Sequence, residues 1–198
     1  EKHSGGIVDV GAVLAKAFES QGLKAIHVKD SHDPHDAMSY DRSRRTATNL
    51  LGKNPAVLFD VHRDAVPREE YATEINGEGV TKVQMVVGRS NPNFEATNEF
   101  AKQIKAKVDE VYPGLIKGIF YGKGKYNQDL APRVMLLEFG TNSNHRESAE
   151  RSAELFAAAT KDIVYSTSGK TGGFNGKIVL WIVVFLGLGV GLYFLFNK

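Results

Sequence analysis

The segment that most limits the structures open to this chain is a run of 19 uncharged, mostly apolar residues near its C-terminus. This run, IVLWIVVFLGLGVGLYFLF, occupies positions 178–196. About 20 apolar residues in a helix span the hydrocarbon core of a bilayer. Trp181 and Tyr193 lie near its two ends, where aromatic side chains favour the membrane interface. The alternative is a helix buried in a protein core, but such helices seldom lack a polar face. We therefore predict a C-terminal transmembrane helix over 178–196.

The rest of the chain has the size of one globular domain followed by a tether. Residues 1–165 of the 198 are enough for a single domain with its own hydrophobic core. Residues 166–176, STSGKTGGFNG, are rich in glycine and serine, which predicts a flexible linker. The net charge is only +2 and the basic residues are scattered, so we expect no nucleic-acid partner. Because the chain has no cysteine, disulfides and thiolate zinc sites are excluded.

Helical and strand-like patterns alternate along the first 165 residues. Apolar residues recur at helical spacing over 7–18, 37–51, 94–111 and 146–165. Strand-like runs lie at 24–30, 56–61, 115–122 and 133–140, and the Asn76-Gly77 pair predicts a hairpin. The run at 56–61 is apolar except for Asp60, a near-continuous pattern that is typical of a strand buried on both faces of a sheet. We predict an α/β fold, a single domain whose central, mostly parallel, twisted sheet is flanked by helices.

Two of the predicted strands end in side chains suited to chemistry rather than to turning the chain. LFDVHRD carries His62 between acidic residues, and MLLEFGTNSN carries Glu138 after four apolar residues. Ligands bind beyond the carboxyl ends of strands in open α/β sheets. If the two strands are near neighbours, His62 can bind a metal and Glu138 can take a proton from a metal-bound water. The alternative is a hydrogen-bonded core histidine and a salt-bridged glutamate.

Two other polar clusters have both a functional and a structural interpretation. HVKDSHDPHD, residues 27–36, contains His32 and His35 at a spacing that suits metal ligands, but the same residues also make good turns. Residues 126–129, Tyr-Asn-Gln-Asp, place Asn127 and Asp129 just before the Glu138 strand. That cluster either lines a substrate groove or caps a loop.

Several stretches together resemble the stage II sporulation protein P family. They include SRRTATNLL, LFDVHRDAVP, VVGRSNPNFEATNEFAKQI, YPGLIKGIF and YNQDLAPRVMLLEFGTNSN, and the resemblance covers about residues 5–165. The family belongs to the zinc-dependent N-acetylmuramoyl-L-alanine amidases of spore-forming bacteria. The resemblance implies an amidase-like α/β domain over 1–165. It also implies a peptidoglycan hydrolase that cuts the amide between N-acetylmuramic acid and L-alanine of the stem peptide, with cross-link cleavage as a further activity.

The resemblance also implies roles for individual residues. His62 matches a zinc ligand of the family, and Glu138 matches its catalytic glutamate. We assign Arg63 and Asp64 to orientation or substrate contact, and Asp60 or Asp64 to fixing the tautomer of His62. Asn127, Asp129, His32 and His35 complete the set of residues expected to contact substrate or support the site.

Two features depart from the family pattern. The other zinc ligands fall in a motif upstream of GGIVDVG, where only EKHSGG stands here, so we expect that N-terminal residues have been lost. The anchor follows the domain instead of preceding it, which leaves sporulation and other wall remodelling both open. We expect a single-pass protein of the cell membrane whose domain faces the wall, with peptidoglycan and other wall-remodelling membrane proteins as partners. The alternative function is a catalytically incomplete, membrane-tethered wall-binding or scaffold module.

Overall fold

The computed structural model describes residues 6–34, 36, 38–168 and 187–189. Four α-helices lie within them: α1 (Ile7–Ser20), α2 (Ser39–Leu51), α3 (Phe94–Val111) and α4 (Arg146–Ser168). The strands are β1 (Leu58–Asp64), β2 (Ala72–Ile75), β3 (Glu78–Thr81), β4 (Val83–Gly88), β5 (Ile116–Gly122), β6 (Val134–Thr141) and β7 (Gly187–Gly189). Short 3-10 turns occupy Arg68–Glu70 and Gln128–Leu130.

Five of the strands form a central sheet in the order β5-β4-β6-β1-β7. The β5–β4, β6–β1 and β1–β7 pairs are parallel, and only the β4–β6 pair is antiparallel. β2 and β3 form a separate hairpin whose turn is the predicted Asn76-Gly77 pair, both at positive φ. The predicted α/β fold with a mostly parallel central sheet and helices is confirmed.

The two faces of the sheet follow from the period-2 alternation of its strands. Phe59 and Val61 of β1, with Met135, Leu137 and Phe139 of β6, contribute to the large hydrophobic core. α1, α3 and α4 cover that face, which is called the core face here. Alternate residues, such as Leu58 and Leu136, pack instead against α2 and the loop that contains Tyr126. This second side is called the α2 face.

The strand predicted over 24–30 is wrong. Lys24 and Ser31 each make only an isolated bridge, and no ladder joins them. Ile26 and Val28 gain partial burial by packing against the small apolar cluster between α2 and the sheet. The apolar residues of this segment therefore serve packing, and the part of the chain that the structure describes contains no ladder along 24–30.

The C-terminal predictions fall mostly outside the described residues. α4 continues to Ser168, so the first three positions of the predicted linker 166–176 are helical. Of the predicted transmembrane segment 178–196, only Gly187–Gly189 is described, and it forms a short strand parallel to β1 instead of a turn of helix. Glycine is a poor helix former and allows backbones to approach closely, which suits that pairing. Among the residues described, no helix is long and apolar enough to cross a bilayer.

Candidate functional site

The pairing of β1 with β6 brings together the two residues that the sequence singled out. His62 and Glu138 are register partners in this parallel pair. Neighbouring strands lie roughly 4.8 Å apart, and partners in register point to the same side of the sheet. Leu136, two positions before Glu138, packs on the α2 face. Both side chains therefore lie on the α2 face, close to the middle of the sheet.

Asp60 supports the imidazole from the same strand. It precedes His62 by two positions and so shares its face. Asp60 Oδ1 lies 2.7 Å from His62 Nε2, and both residues are buried. A carboxylate hydrogen-bonded to one ring nitrogen fixes the orientation and tautomer of an imidazole.

The carboxyl group of Glu138 is fully buried, and neither of its oxygens has a hydrogen-bond partner among the described residues. Burial raises the pKa of Glu138 to about 8, because a charged carboxylate loses its hydration there. The nearby His62 opposes that rise, while the charges of Asp64 and Asp60 add to it. A buried polar group without a partner is uncommon in folded proteins and is costly to maintain.

The end of β1 is braced by the segment that follows it. The register between β1 and β6 shifts between His62 and Asp64, which is typical of a β-bulge beside a functional site. The Tyr71 hydroxyl donates to Asp64 Oδ2 at 2.8 Å, and the Lys117 ammonium lies 4.1 Å from the centre of the Tyr71 ring. Burial, with the charges of Glu138 and Asp64, raises the pKa of Tyr71 above its ordinary value.

Tyr40, at the start of α2, is a residue that sequence reasoning did not assign to the site. Its ring lies 6.5 Å from the His62 ring at an interplanar angle of 23°, and it meets the Tyr126 ring edge-on at 5.3 Å. Burial, followed by the charges of Asp60 and Glu138, raises the pKa of Tyr40 well above its ordinary value. The sequence indicates Tyr40 through its helical spacing alone, which puts it on the side of α2 that packs against the sheet.

The histidines of the 27–36 cluster have different outcomes. His32 is buried, and its Nε2 lies 3.0 Å from the Thr46 hydroxyl, which donates to Asp30 at 3.3 Å. Burial lowers the pKa of His32, while the charge of Asp60 opposes that change. His35 lies outside the described residues.

Three other expected site residues hold the fold together in this structure. The Asn127 amide donates to the Tyr40 carbonyl at 3.2 Å, and Asp129 accepts two hydrogen bonds from Arg44, at 2.9 and 2.8 Å. Both therefore attach the 123–133 loop to α2. Arg63 points to the core side of β1, is 1% exposed, and donates to the carbonyls of Thr141 and Asn144.

The described residues supply only part of a zinc site. His62 is an imidazole on the α2 face, and Glu138 and Asp60 are carboxylates beside it. Yet within the described ranges no group of three or more histidines and acids is arranged to hold a metal ion. Structural and catalytic zinc sites take three or four protein ligands.

Comparison with known proteins gives a consistent family signal. The family model for stage II sporulation protein P matches residues 1–161. Stage II sporulation protein P of Bacillus subtilis (strain 168) is 32% identical over 182 residues, covering 82% of this chain and 45% of that protein. The chain thus spans a little under half the length of this relative.

One solved structure is a weaker match. It is the CwlD amidase from Clostridioides difficile in complex with the GerS lipoprotein, at 15% identity. The match covers 81% of this chain and 84% of that one, with a TM-score of 0.49. A likeness at that level carries no conclusion about this chain.

Proposed function

Because the chain belongs to the stage II sporulation protein P family, we propose that it is a cell-wall hydrolase acting on peptidoglycan in sporulation or wall remodelling. Its reaction is hydrolysis of the amide between N-acetylmuramic acid and the L-alanine of the stem peptide, with cleavage of peptide cross-links as a second activity. The observation that carries this proposal is the buried carboxyl of Glu138, which has no hydrogen-bond partner among the described residues and lies beside His62 of the neighbouring strand.

Glu138 has the properties of a group that moves protons. A general acid or base works best when its pKa lies near the working pH, and burial brings Glu138 to about 8. In its ionised form the carboxylate takes a proton from the attacking water. In its protonated form it returns that proton to the departing nitrogen as the amide breaks. Both steps are open to one carboxyl whose two forms coexist near neutrality.

His62 and Asp60 supply an oriented imidazole next to that carboxyl. The 2.7 Å contact holds the ring in one orientation, and Tyr40 stacks against its face. An imidazole fixed in this way can bind a cation.

We propose zinc as the cation bound at this site, on the basis of the family to which the chain belongs. His62 would be its imidazole ligand, and within the described residues no group of three or more histidines and acids is arranged to complete the set. Zinc would supply polarisation of the scissile carbonyl. Metal analysis of the natural full-length protein tests this: we expect zinc per chain to fall in His62→Ala, and equal zinc in both proteins would remove His62 as a ligand.

The main experiment measures the products released from purified peptidoglycan by the natural full-length protein. Mass spectrometry separates free stem peptides that begin with L-alanine from glycan and cross-link fragments. Glu138→Gln should lose the activity, while Glu154→Gln, an exposed glutamate on α4, should keep it. Equal release by wild type and Glu138→Gln would contradict the role of Glu138.

The same protein samples distinguish an enzyme from the alternative function. A tethered wall-binding or scaffold module would bind insoluble peptidoglycan in a sedimentation assay and release no peptide. Binding that is unchanged by Glu138→Gln, together with no cleavage by wild type, would favour that module over an enzyme.

Attachment to the cell membrane through residues 178–196, with the domain facing the wall, is a further part of the proposal. Its support is the uncharged apolar composition of that segment. A helix through the segment would exclude the β7 pairing with β1. Carbonate extraction of cell membranes tests the proposal: recovery in the extracted fraction would rule out a spanning helix. Other membrane proteins of wall remodelling are proposed as partners on the same basis.

A further inference from the structure

Tyr40 packs on the α2 face, the face of the sheet that carries Glu138. Its ring lies 6.5 Å from the ring of His62, whose register partner is Glu138 and whose Nε2 contacts Asp60. No hydrogen bond to the Tyr40 hydroxyl is formed by the residues that the structure describes. The side chain is only half-buried, at the first turn of α2.

The backbone and ring of Tyr40 are held from several sides. Its carbonyl accepts a hydrogen bond from the Asn127 amide, and its ring packs edge-on against Tyr126. The Tyr126 ring is itself seated against Gly122 and Gly124, where a Cβ atom at either glycine would meet the ring at 3.0 Å or less. Tyr40 is therefore a positioned side chain, as a preorganised hydrogen-bond donor must be.

Hydrolysis of an amide needs such a donor. When water adds to the carbonyl carbon, the carbonyl oxygen gains negative charge, and donors aimed at that oxygen stabilise the transition state. Ionised carboxylates cannot donate. The Tyr71 hydroxyl already donates to Asp64, and the His62 Nε2 is in contact with Asp60. Tyrosine is protonated at neutral pH, so its hydroxyl is a donor there.

We propose that the Tyr40 hydroxyl donates a hydrogen bond to the oxygen of the scissile carbonyl and stabilises the negative charge that develops on it. Tyr40 is thus a further catalytic residue, with Tyr126 and Asn127 as its positioning residues. This inference rests on the proposed function, since it names a role within the same hydrolysis.

The test is Tyr40→Phe in the natural full-length protein, assayed on purified peptidoglycan. The substitution removes the hydroxyl and keeps the ring against His62 and Tyr126. Loss of one such donor typically lowers kcat by about a hundredfold, and KM should change little because the bond strengthens only in the transition state. The matched control is Tyr165→Phe, an exposed tyrosine on α4 that is 59% exposed, and we expect it to match wild type.

The outcomes are separable. A kcat for Tyr40→Phe within about twofold of wild type, or a rise in KM alone, would overturn the inference. Suppose that wild type cleaves, Glu138→Gln does not, and Tyr40→Phe keeps its kcat. The role of Tyr40 is then refuted, while the proposed function stands. If wild type releases no peptide, the proposed function fails first. Thermal unfolding of each variant sets the assay temperature, so that a Tyr40→Phe protein of lower melting point is compared while fully folded.

Discussion

His62 on β1 and Glu138 on β6 occupy partner positions in a parallel strand pair, although they lie 76 positions apart along the chain. An imidazole and a buried carboxyl therefore share one face of the sheet because two strands distant in sequence are paired. Both strands are buried along their full length, so regular elements of the fold, and no loop, set the geometry of this pair.

The raised pKa of Glu138 predicts that this carboxyl destabilises the folded protein at alkaline pH. Between its ordinary value of 4.5 and its folded value of about 8, the folded state binds more protons than the unfolded state. The free energy of unfolding therefore falls as pH rises through that window. A shift of this size corresponds to about 5 kcal/mol at the alkaline end.

Glu138→Gln should remove that pH dependence. We expect the variant to be more stable than wild type near pH 8.5 by several kcal/mol, on the order of the shift itself, and equal to it near pH 4.5. Urea unfolding followed by circular dichroism across this range measures the difference. Samples with chelator are the reference, because a cation bound beside Glu138 would stabilise its ionised form. A difference that is constant with pH would show that Glu138 titrates normally.

Asp60 is expected to act through His62. Asp60→Asn removes the carboxylate 2.7 Å from the His62 ring and leaves a side chain of the same size. Loss of a supporting carboxylate typically lowers activity or metal affinity 10-fold to 100-fold, and we expect a loss of about that size. Steady-state hydrolysis of peptidoglycan measures it, with Asp162→Asn, an exposed position on α4, as control. Activity within about twofold of wild type would mean that Asp60 has no role in orienting the ring.

The strands and the hairpin could be predicted because neighbouring residues in the sequence define them, whereas the pairing of distant strands could not. The buried strands that carry His62 and Glu138 were evident because each begins with a short apolar run, and Asn76-Gly77 identified its hairpin by turn chemistry alone. The adjacency of β1 and β6 could not be derived, because strand pairing at long range is set by the packing of the whole sheet.

The roles of individual side chains were harder to predict than the elements that carry them. Arg63 adjoins His62 in sequence, but the alternation of a strand sends it to the opposite face, where it braces the β6–α4 turn. Tyr40 comes from a helix whose docking on the sheet has no local signature. The 24–30 segment has the pattern of a strand because its branched apolar residues are partly buried, yet the described residues show only isolated bridges at Lys24 and Ser31.

The Arg44–Asp129 pair tests whether Asp129 holds the loop or contacts substrate. Hydrogen bonds from Arg44 lower the pKa of Asp129, and the Arg44 side chain is 42% exposed, so the pair is partly screened by solvent. A double-mutant cycle of Arg44→Ala and Asp129→Ala should give a coupling free energy of about 0.5–1 kcal/mol by urea unfolding. Both single variants and the double variant should lower activity equally. A larger rise in KM for Asp129→Ala than for Arg44→Ala would instead indicate direct substrate contact.

Gly88, at the end of β4, leaves room for the Tyr126 ring, which packs against Tyr40 in the candidate site. A Cβ atom there would fall closer than 3.0 Å to the backbone carbonyl of Gly124, and 3.0 Å from the Tyr126 ring. The backbone cannot yield as a flexible side chain would, so the 123–127 loop must shift. We expect Gly88→Ala to cost about 1–3 kcal/mol of unfolding free energy, the range for overpacking a closely packed region.

The matched control is Gly79→Ala, an exposed strand glycine whose Cβ would meet nothing within 4 Å. Its stability should stay within about 0.5 kcal/mol of wild type in the same urea titration. Because Tyr126 positions Tyr40, Gly88→Ala should also lower kcat at temperatures where it remains folded, whereas Gly79→Ala should not. A Gly88→Ala protein that loses stability but keeps full kcat would show that the position of Tyr126 does not matter to the chemistry. That result would separate the packing of the loop from the function of the α2 face.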